Sequence, residues 1–399
     1  MKIFNVKFCS THIFPNGVEI SFTTKDGVRK NNQYSDFFQS AFKIKTGLYS
    51  QVLIPIMGIN ATGKTSLLDL LSLVFEILLK DQKLNSPQIV NVLNKFKVSE
   101  KTPLSFEVIF LNDQNKLFKI CSTISKVEDG NNSFCYTKEA LFSCDLKKIN
   151  AKNVNESPFL ATIDRNDLKD NAFLKGDISI LTSLNDTKTQ YYFNPHKDKT
   201  ILPLWLGTPY PEIVQCLDPS IKNLNIDINS EKNILESTIS FKRDSKTSTL
   251  EVGKLIDLLS TGTIKGLNAI PSIINVLKTG GYYFIDEIEN HINRRIVEFI
   301  LGLFTDSRSN PHGACLIFTT HYLELLDEIT RKDNIYITRR DDENSLEVVR
   351  LVDLDIVKRN DVSKSKIFLD CLIKGSAPNL IDMINAKRLV IDKVNSQQE

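Results

Sequence analysis

The sequence contains no long apolar run, no paired cysteine motif and no large excess of charge of either sign. Its apolar runs fall short of the ~18 residues that cross a bilayer, so no membrane association is expected. The seven cysteines lack C-x-x-C spacing, which argues against a zinc site and predicts free thiols in a reducing cytoplasm. The net charge of +2 creates no global basic field, so any contact with DNA would need a local patch.

Targeting segments and repeats are missing as well. The first residues, Met1–Phe8, predict a β-strand and lack the apolar core and cleavage site of a signal peptide. There is no internal repeat and no sustained heptad pattern, which argues against a solenoid and against coiled-coil arms. The 399 residues, 41% hydrophobic and 25% charged, are typical of a globular cytoplasmic protein of about two domains.

The stretch Gly58–Thr65 has the pattern G-x-x-x-x-G-K-[ST], which is typical of loops that bind nucleotide phosphates. The apolar run before it, Val52–Met57, predicts a strand that Pro55 weakens. From Ser66 to Leu79, apolar residues recur at helical spacing. Strand, loop and helix in this order are the context that the motif requires, so chance is a poor explanation.

Each type of residue in this loop has a physical reason to be there. Glycines let the backbone turn its N–H groups onto a phosphate, and the helix N-terminus adds positive potential. Lys64 is predicted to reach the β- and γ-phosphates and to take part in catalysis, and Thr65 to hold Mg²⁺. The predicted nucleotide-binding residues are Gly58, Asn60, Gly63, Lys64, Thr65 and Ser66. The alternative is a glycine-containing turn with a solvated lysine.

Two carboxylates, Asp286 and Glu287, follow the apolar run Tyr282–Ile285. At the end of a buried strand, Asp286 would orient the shell of a Mg²⁺ ion, and Glu287 could polarise the attacking water. The alternative is an ordinary strand end with an acidic pair at the surface. The phosphate loop upstream favours the functional interpretation.

The stretch Leu259–Lys265 has the pattern L-S-x-G-x-x-K, which resembles the signature loop of ABC-type ATPases. In those proteins the serine and glycine, here Ser260 and Gly262, grip the γ-phosphate of a nucleotide bound by a second copy. Thr261 replaces the usual glycine, a departure that weakens a transporter assignment more than an ATPase assignment. A serine that caps a helix would also explain Ser260.

The predicted strand that ends in Phe318–His321 resembles the switch segment of the same superfamily, in which the histidine contacts the γ-phosphate. His321 is therefore a predicted catalytic residue. His291 falls where the dimer-facing loop of these proteins is expected, although a solvated loop is an equal alternative. The metal-contacting glutamine has no clear counterpart, and its weak candidates are Gln114 and Gln190.

The segments Asp286–Asn293, Thr319–Tyr322 and Leu325–Asp327 are together similar to bacterial AAA-type ATPases of anti-phage defence with an ABC fold, a group related to the OLD and SMC ATPases. They include the abortive infection AbiL ATPase and the ATPase of the PARIS system. The tail, with Arg359–Val362 and Lys374–Pro378, also resembles that group. The resemblance covers residues ~1–80 and ~235–385 and is poor between them.

The resemblance implies an α/β fold of the ABC-type P-loop class, and strands that alternate with helices after residue 250 agree with a parallel sheet. We predict a mixed central sheet, an additional antiparallel β-subdomain and an inserted helical or irregular subdomain. The predicted segments are 1–144 with the phosphate loop, 145–235 as a variable insert, 236–352 as the second part of the ATPase domain, and 353–399 as a tail. Trp205 and Pro203–Pro211 are the predicted packing centre of the insert.

The resemblance further implies hydrolysis of ATP with Mg²⁺ across a head-to-tail pair of sites, in a homodimer or higher homo-oligomer. It also implies a separate effector, often a nuclease or toxin. Two other functions stay open. One is a DNA-repair ATPase of the RecF or SMC-like type that acts on DNA directly, which the near-neutral charge disfavours. The other is a nucleotide-gated scaffold with little hydrolysis.

Overall fold

A computed structural model describes residues 1–25, 27–28, 36–127, 133–150, 154–168, 174–183, 189–194, 210–229, 234–243, 246–290, 292–354, 356, 363–370, 372–373 and 380–395. The strands are β1 Lys2–Phe8, β2 Val18–Ser21, β3 Ala41–Lys45, β4 Leu48–Gln51, β5 Leu53–Met57, β6 Leu104–Leu111, β7 Lys116–Lys126, β8 Phe134–Asp145, β9 Leu160–Asp164, β10 Tyr191–Asn194, β11 Ile221–Asn229, β12 Ile234–Phe241, β13 Thr247–Glu251, β14 Tyr282–Ile285, β15 Cys315–Thr320, β16 Tyr336–Arg340 and β17 Leu346–Arg350. The helices are α1 Lys64–Lys80, α2 Pro87–Lys95, α3 Pro211–Leu217, α4 Val252–Leu258, α5 Thr261–Thr279, α6 Arg294–Thr305, α7 Leu325–Glu328, α8 Lys364–Leu369 and α9 Leu380–Asn395.

The central sheet has the strand order β10-β14-β15-β5-β16-β17. The first five strands run parallel and β17 runs antiparallel to β16, which confirms the predicted mixed sheet. Strands β14, β15 and β5 are buried along their whole length. Buried parallel strands need apolar side chains on both faces, which explains their continuous hydrophobic runs. Their carboxyl ends meet at one edge of the sheet, where the predicted site residues follow.

Pro55 lies in β5, a strand with neighbours on both sides. A proline cannot donate to a sheet ladder, so this position is unexpected for the middle of a sheet. Strand β16 pairs with β5 only at Ile56 and Met57, beyond the proline. Before that point the Asn334 side-chain amide donates to the Leu53 carbonyl over 3.0 Å. Pro55 therefore lies before the first pair of the β5–β16 ladder, so its missing N–H breaks no hydrogen bond of that ladder.

A second sheet is antiparallel throughout and has the order β2-β1-β6-β7-β8-β9. Strands β6 and β7 form a hairpin in this sheet, whose antiparallel strands agree with the predicted β-subdomain, although its status as a separate subdomain stays a prediction. Strands β11, β12 and β13 form a third, antiparallel sheet, and β3 pairs with β4. Strands β11 and β12 pair across the boundary predicted at residue 235. The predicted domain boundaries themselves stay predictions.

Helix α1 lies between the central and the antiparallel sheets. Phe75 packs against Tyr282 and Phe284 of β14, with ring centroids 4.8 and 4.9 Å away. The same core cluster contains Ile3 and Phe106 of the antiparallel sheet. Each fully buried side chain of this size contributes roughly 1.5–3 kcal/mol through removal of apolar surface from water. The helix that follows the phosphate loop is therefore held on both sides.

The opposite face of the central sheet is covered by α5 and α6, whose buried residues Ile273 and Val297 share one core cluster with Tyr283 and Phe318. Helix α7 is short and follows directly after the predicted switch segment and the turn at residues 322–324. Trp205 lies outside the described residues. Among the described helices, none is long and apolar enough to cross a membrane.

Candidate nucleotide-binding site

The phosphate loop connects the end of β5 to the start of α1, as the strand-loop-helix pattern predicts. Gly63 lies in the left-handed region with φ 90°, where a side chain would be strained. At Gly58 a Cβ atom would collide with the backbone and side chain of Thr338 in β16. Both glycines of the motif are thus required by the geometry of the loop, one for its conformation and one for its close contact.

The N-terminus of α1 can bind an anion. Gly63 is its N-cap and provides no side-chain hydrogen bond, and the first turn contains no acidic residue. The N–H groups of the first turn and the dipole of the 17-residue helix therefore point toward the loop, and no carboxylate of the first turn itself competes for them.

Lys64 folds back over its own loop. Its Nζ donates to the carbonyl oxygen of Gly58 over 2.7 Å and to that of Ile59 over 3.1 Å. Burial lowers the pKa of Lys64, while the charges of Glu287, Asp286 and Glu289 raise it. These three carboxylates are therefore its electrostatic neighbours, and a triphosphate would offer the ammonium a stronger partner than two carbonyls.

Asp286 connects the acidic strand to the phosphate loop. Its Oδ2 accepts from the hydroxyl of Thr65 over 2.9 Å, and its Oδ1 accepts from the hydroxyl of Thr319 over 2.6 Å. A hydroxyl and a carboxylate side by side are oxygen ligands of the kind that Mg²⁺ prefers. Thr65 and Asp286 fit a Mg²⁺ ion that takes its remaining ligands from phosphate and water, as this ion usually does.

Glu287 has a left-handed backbone, with φ 51°. This conformation costs a non-glycine residue about 1–2 kcal/mol. Thr319 stabilises it, because its hydroxyl accepts from the Glu287 N–H over 2.6 Å and its carbonyl accepts from the Ile288 N–H over 3.0 Å. The strained turn directs the Glu287 side chain toward His321, whose Nε2 lies 3.9 Å from Oε1.

The predicted signature turn lies at the start of α5. Ser260 is its N-cap, and its Oγ accepts from the N–H of Thr263 over 3.1 Å. Ser260 and Thr261 are exposed, and Gly262 is partly exposed. The helix-capping alternative is thus present in the structure, and the turn also faces solvent, where a second molecule could reach it.

The remaining predicted residues fall at different places. Asn60 is exposed on the phosphate loop, and Ser66 is half-buried in the first turn of α1. Gln114 lies in the β6–β7 turn of the antiparallel sheet. Gln190 accepts at its carbonyl from the N–H of Tyr282, where β14 begins. Asp286 follows the other end of β14, so Gln190 and Asp286 lie at opposite ends of this strand. His291 lies outside the described residues.

Thr319 is a site residue for which the sequence motif assigned no role. Ile285 pairs with Phe318 in the parallel register of β14 and β15, so the next residues along, Asp286 and Thr319, emerge side by side. The motif named only His321, two positions later. The sequence signal that could have found Thr319 is its position at the end of the neighbouring predicted strand, because the carboxyl ends of parallel strands share one edge of the sheet.

A sequence profile of the family described as "AAA domain, putative AbiEii toxin, Type IV TA system" matches residues 55–327, more than half of the chain. The chain belongs to this family. The match begins in the strand before the phosphate loop and ends in α7, so it contains every predicted site residue. This AAA-family protein is therefore of the P-loop ATPase type. A search of the curated proteins finds no match.

Proposed function

We propose that this AAA-family protein binds and hydrolyses ATP at sites formed between two copies, as the ATPase subunit of a two-component anti-phage defence system of the abortive infection type. The hydrogen bond between Asp286 and Thr65, 2.9 Å long, is the observation that carries the ATPase part. It joins residues 221 positions apart into the pair of oxygen ligands that a nucleotide-bound Mg²⁺ requires.

The proposed mechanism rests mainly on charge placement. The first-turn amides of α1 and Lys64 hold the phosphates, and Thr65 with Asp286 would hold a Mg²⁺ ion, which would supply positive charge to stabilise the phosphates. Glu287 orients and polarises the attacking water, and His321 contacts the γ-phosphate. Water attacks the γ-phosphorus, the bond to the bridging oxygen breaks, and ADP and phosphate leave. Most of the rate comes from electrostatic stabilisation, so Glu287 need not be a strong base.

The second half of each site would come from another copy. The exposure of Ser260 and Gly262 supports this part of the proposal, because a solvent-facing helix N-terminus can receive the γ-phosphate bound by a neighbour. Each site would then take Lys64, Thr65, Asp286, Glu287 and His321 from one copy and the Ser260 turn from the other. Turnover per subunit is therefore expected to rise with protein concentration.

The defence part of the proposal rests on the family. Its description names a toxin and a type IV toxin–antitoxin system, which supports a partner component encoded with this chain. We propose that ATP binding and hydrolysis control the release of an effector, a nuclease or toxin. The AbiL and PARIS ATPases are the members of this functional class that the sequence resembles.

The test is a mixing experiment with two variants. Lys64→Ala removes the phosphate contact and Ser260→Arg blocks the signature turn, so each alone should lose most ATP hydrolysis. A mixed dimer contains one intact site, and mixing should restore roughly a quarter of the wild-type rate. Two copies of the same variant, mixed from separate preparations, are the control. Hydrolysis by Ser260→Arg alone at the wild-type rate, or turnover independent of protein concentration, would exclude composite sites.

A further inference from the structure

The hairpin of β16 and β17 contacts the phosphate loop through alternate residues of β16. The Thr338 hydroxyl lies 2.8 Å from the Thr62 hydroxyl and donates to the Met57 carbonyl over 3.2 Å. Two positions later, Nη2 of Arg340 donates to the Ala61 carbonyl over 3.3 Å. Residues at i and i+2 share one face of a strand, so this face of β16 is directed at the loop.

Arg340 and its neighbour Arg339 differ in how their charge is compensated. Nε of Arg339 lies 2.6 Å from a carboxylate oxygen of Glu347. Among the described residues, Arg340 has no carboxylate within ion-pair distance, and its guanidinium is held by the carbonyls of Asn344, 2.9 Å from Nη1, and Ala61. A guanidinium has five N–H donors, so this one keeps donors for another ligand.

Lys64 is held in the same way. Both cations donate to carbonyl oxygens of the phosphate loop, Lys64 to Gly58 and Ile59 and Arg340 to Ala61. A carbonyl oxygen is neutral, whereas a phosphate oxygen carries negative charge, so a phosphate adds attraction between opposite charges to the hydrogen bond. A bound phosphate is therefore a better acceptor for either cation than the carbonyl that holds it. Ala61 is exposed, so the guanidinium stands at the open side of the loop.

We propose that Arg340 is a further nucleotide-binding residue, which exchanges the Ala61 carbonyl for a phosphate oxygen of the bound nucleoside triphosphate. This inference rests on the proposed ATP-binding function of the loop. The hairpin turn that holds Arg340 in place is thereby part of the binding site, and the planar guanidinium can give the phosphate two parallel hydrogen bonds.

The experiment compares Arg340→Gln, Arg340→Lys and the matched neighbour Arg339→Gln in full-length protein, with ATP affinity measured by calorimetry at low and high salt. Arg340→Gln should weaken ATP binding roughly 10- to 100-fold and reduce its salt dependence, because a charge–phosphate contact is lost. Arg340→Lys keeps the charge and should recover part of the loss. Arg339→Gln should bind ATP like the wild type. Thermal unfolding checks that each variant is folded.

Two results would overturn the inference. One is wild-type ATP affinity in Arg340→Gln, which would mean that the guanidinium only holds the loop through its hydrogen bond to the Ala61 carbonyl. The other is an equal loss of ATP affinity in Arg339→Gln, since the effect would then come from a change in the hairpin and not from the Arg340 guanidinium. Lys64→Ala separates this inference from the proposed function. If Lys64→Ala also binds ATP with wild-type affinity, the nucleotide site itself is refuted. If Lys64→Ala loses ATP binding while Arg340→Gln keeps it, only the role of Arg340 is refuted.

Discussion

Two buried carboxylates in different sheets, Asp286 and Glu139, have opposite surroundings. Glu139, on β8 of the antiparallel sheet, accepts from Ser179 Oγ over 2.6 Å, from the Ile180 N–H over 2.9 Å and from Arg165 Nη1 over 2.7 Å. Asp286, after β14 of the central sheet, accepts only from two hydroxyls among the described residues. Both are almost inaccessible, with 2% and 5% exposure.

The difference matches a structural role for Glu139 and the metal-binding role that we propose for Asp286. Glu139 has a cation and three further donors, the third being the Ser122 hydroxyl at 3.5 Å, so its charge is compensated within the chain, as a buried charge requires. Asp286 has hydroxyl partners that can themselves turn to a metal, and its oxygens keep lone pairs that a Mg²⁺ ion can use. The two carboxylates are almost equally buried, so burial does not distinguish their roles. The types of donor around each carboxylate distinguish them better.

The largest expected effect is on stability, at Glu139. Glu139→Ala leaves the Arg165 guanidinium without its buried carboxylate and should lower the free energy of unfolding by about 3–5 kcal/mol. ATP hydrolysis per folded molecule should stay near the wild-type rate. Urea unfolding and an ATPase assay below the transition measure the two. A large loss of specific activity in the folded variant would break the comparison.

Asp286→Asn should affect ATP hydrolysis strongly and stability little, which is the reverse of the expectation for Glu139→Ala. The asparagine oxygen can still accept from a hydroxyl, so the free energy of unfolding should change by about 1 kcal/mol or less. The loss of the metal-binding charge should lower Mg²⁺-dependent ATP hydrolysis roughly 100-fold or more. Titration of the ATPase rate with Mg²⁺ checks this, because a higher requirement for the metal is expected. Destabilisation equal to that of Glu139→Ala would contradict the assignment of different roles.

Thr319→Val should affect both properties to a smaller degree. Valine has the shape of threonine but leaves the Glu287 N–H and one oxygen of Asp286 without a partner, which should cost about 1–3 kcal/mol of stability. The strained turn at Glu287 loses a support, so the hydrolysis rate should fall roughly tenfold. Thr319→Ser keeps the hydroxyl and serves as the control. Wild-type activity in the valine variant would show that Thr319 does not position the site.

The smallest expected effect is on pH dependence. Burial raises the pKa of Glu139 above its ordinary value of 4.5, although Ser179, Ile180 and Arg165 favour the charged form. The folded protein therefore binds a proton that the unfolded chain has lost. The stability from this proton is complete below pH 4.5 and disappears as the pH rises through the raised pKa. The stability advantage of wild type over Glu139→Gln, measured by urea unfolding, should shrink with rising pH. A stability advantage that grows with rising pH would mean that folding lowers the pKa of Glu139 instead of raising it.

The local parts of the site could be predicted from the sequence. A phosphate loop consists of neighbouring residues, so its glycines, Lys64 and Thr65 are recognisable without a fold. The strand that ends in Asp286 is also local, because its apolar run and two carboxylates are contiguous. The sequence around Ser260 fits both a signature turn and a helix cap, because both place a serine at a helix N-terminus.

Short-range patterns of glycine, apolar and acidic residues specify the phosphate loop, the acidic strand and the α/β class, so these features are readable without a structure. Three contacts become visible in the folded chain alone: Thr319 with Asp286 and Glu287, Arg340 with Ala61, and Glu139 with Arg165. These contacts depend on which strands become neighbours and in what register, a property of the whole packed sheet. No single segment of the chain encodes that arrangement, because it comes from burial summed over both core faces.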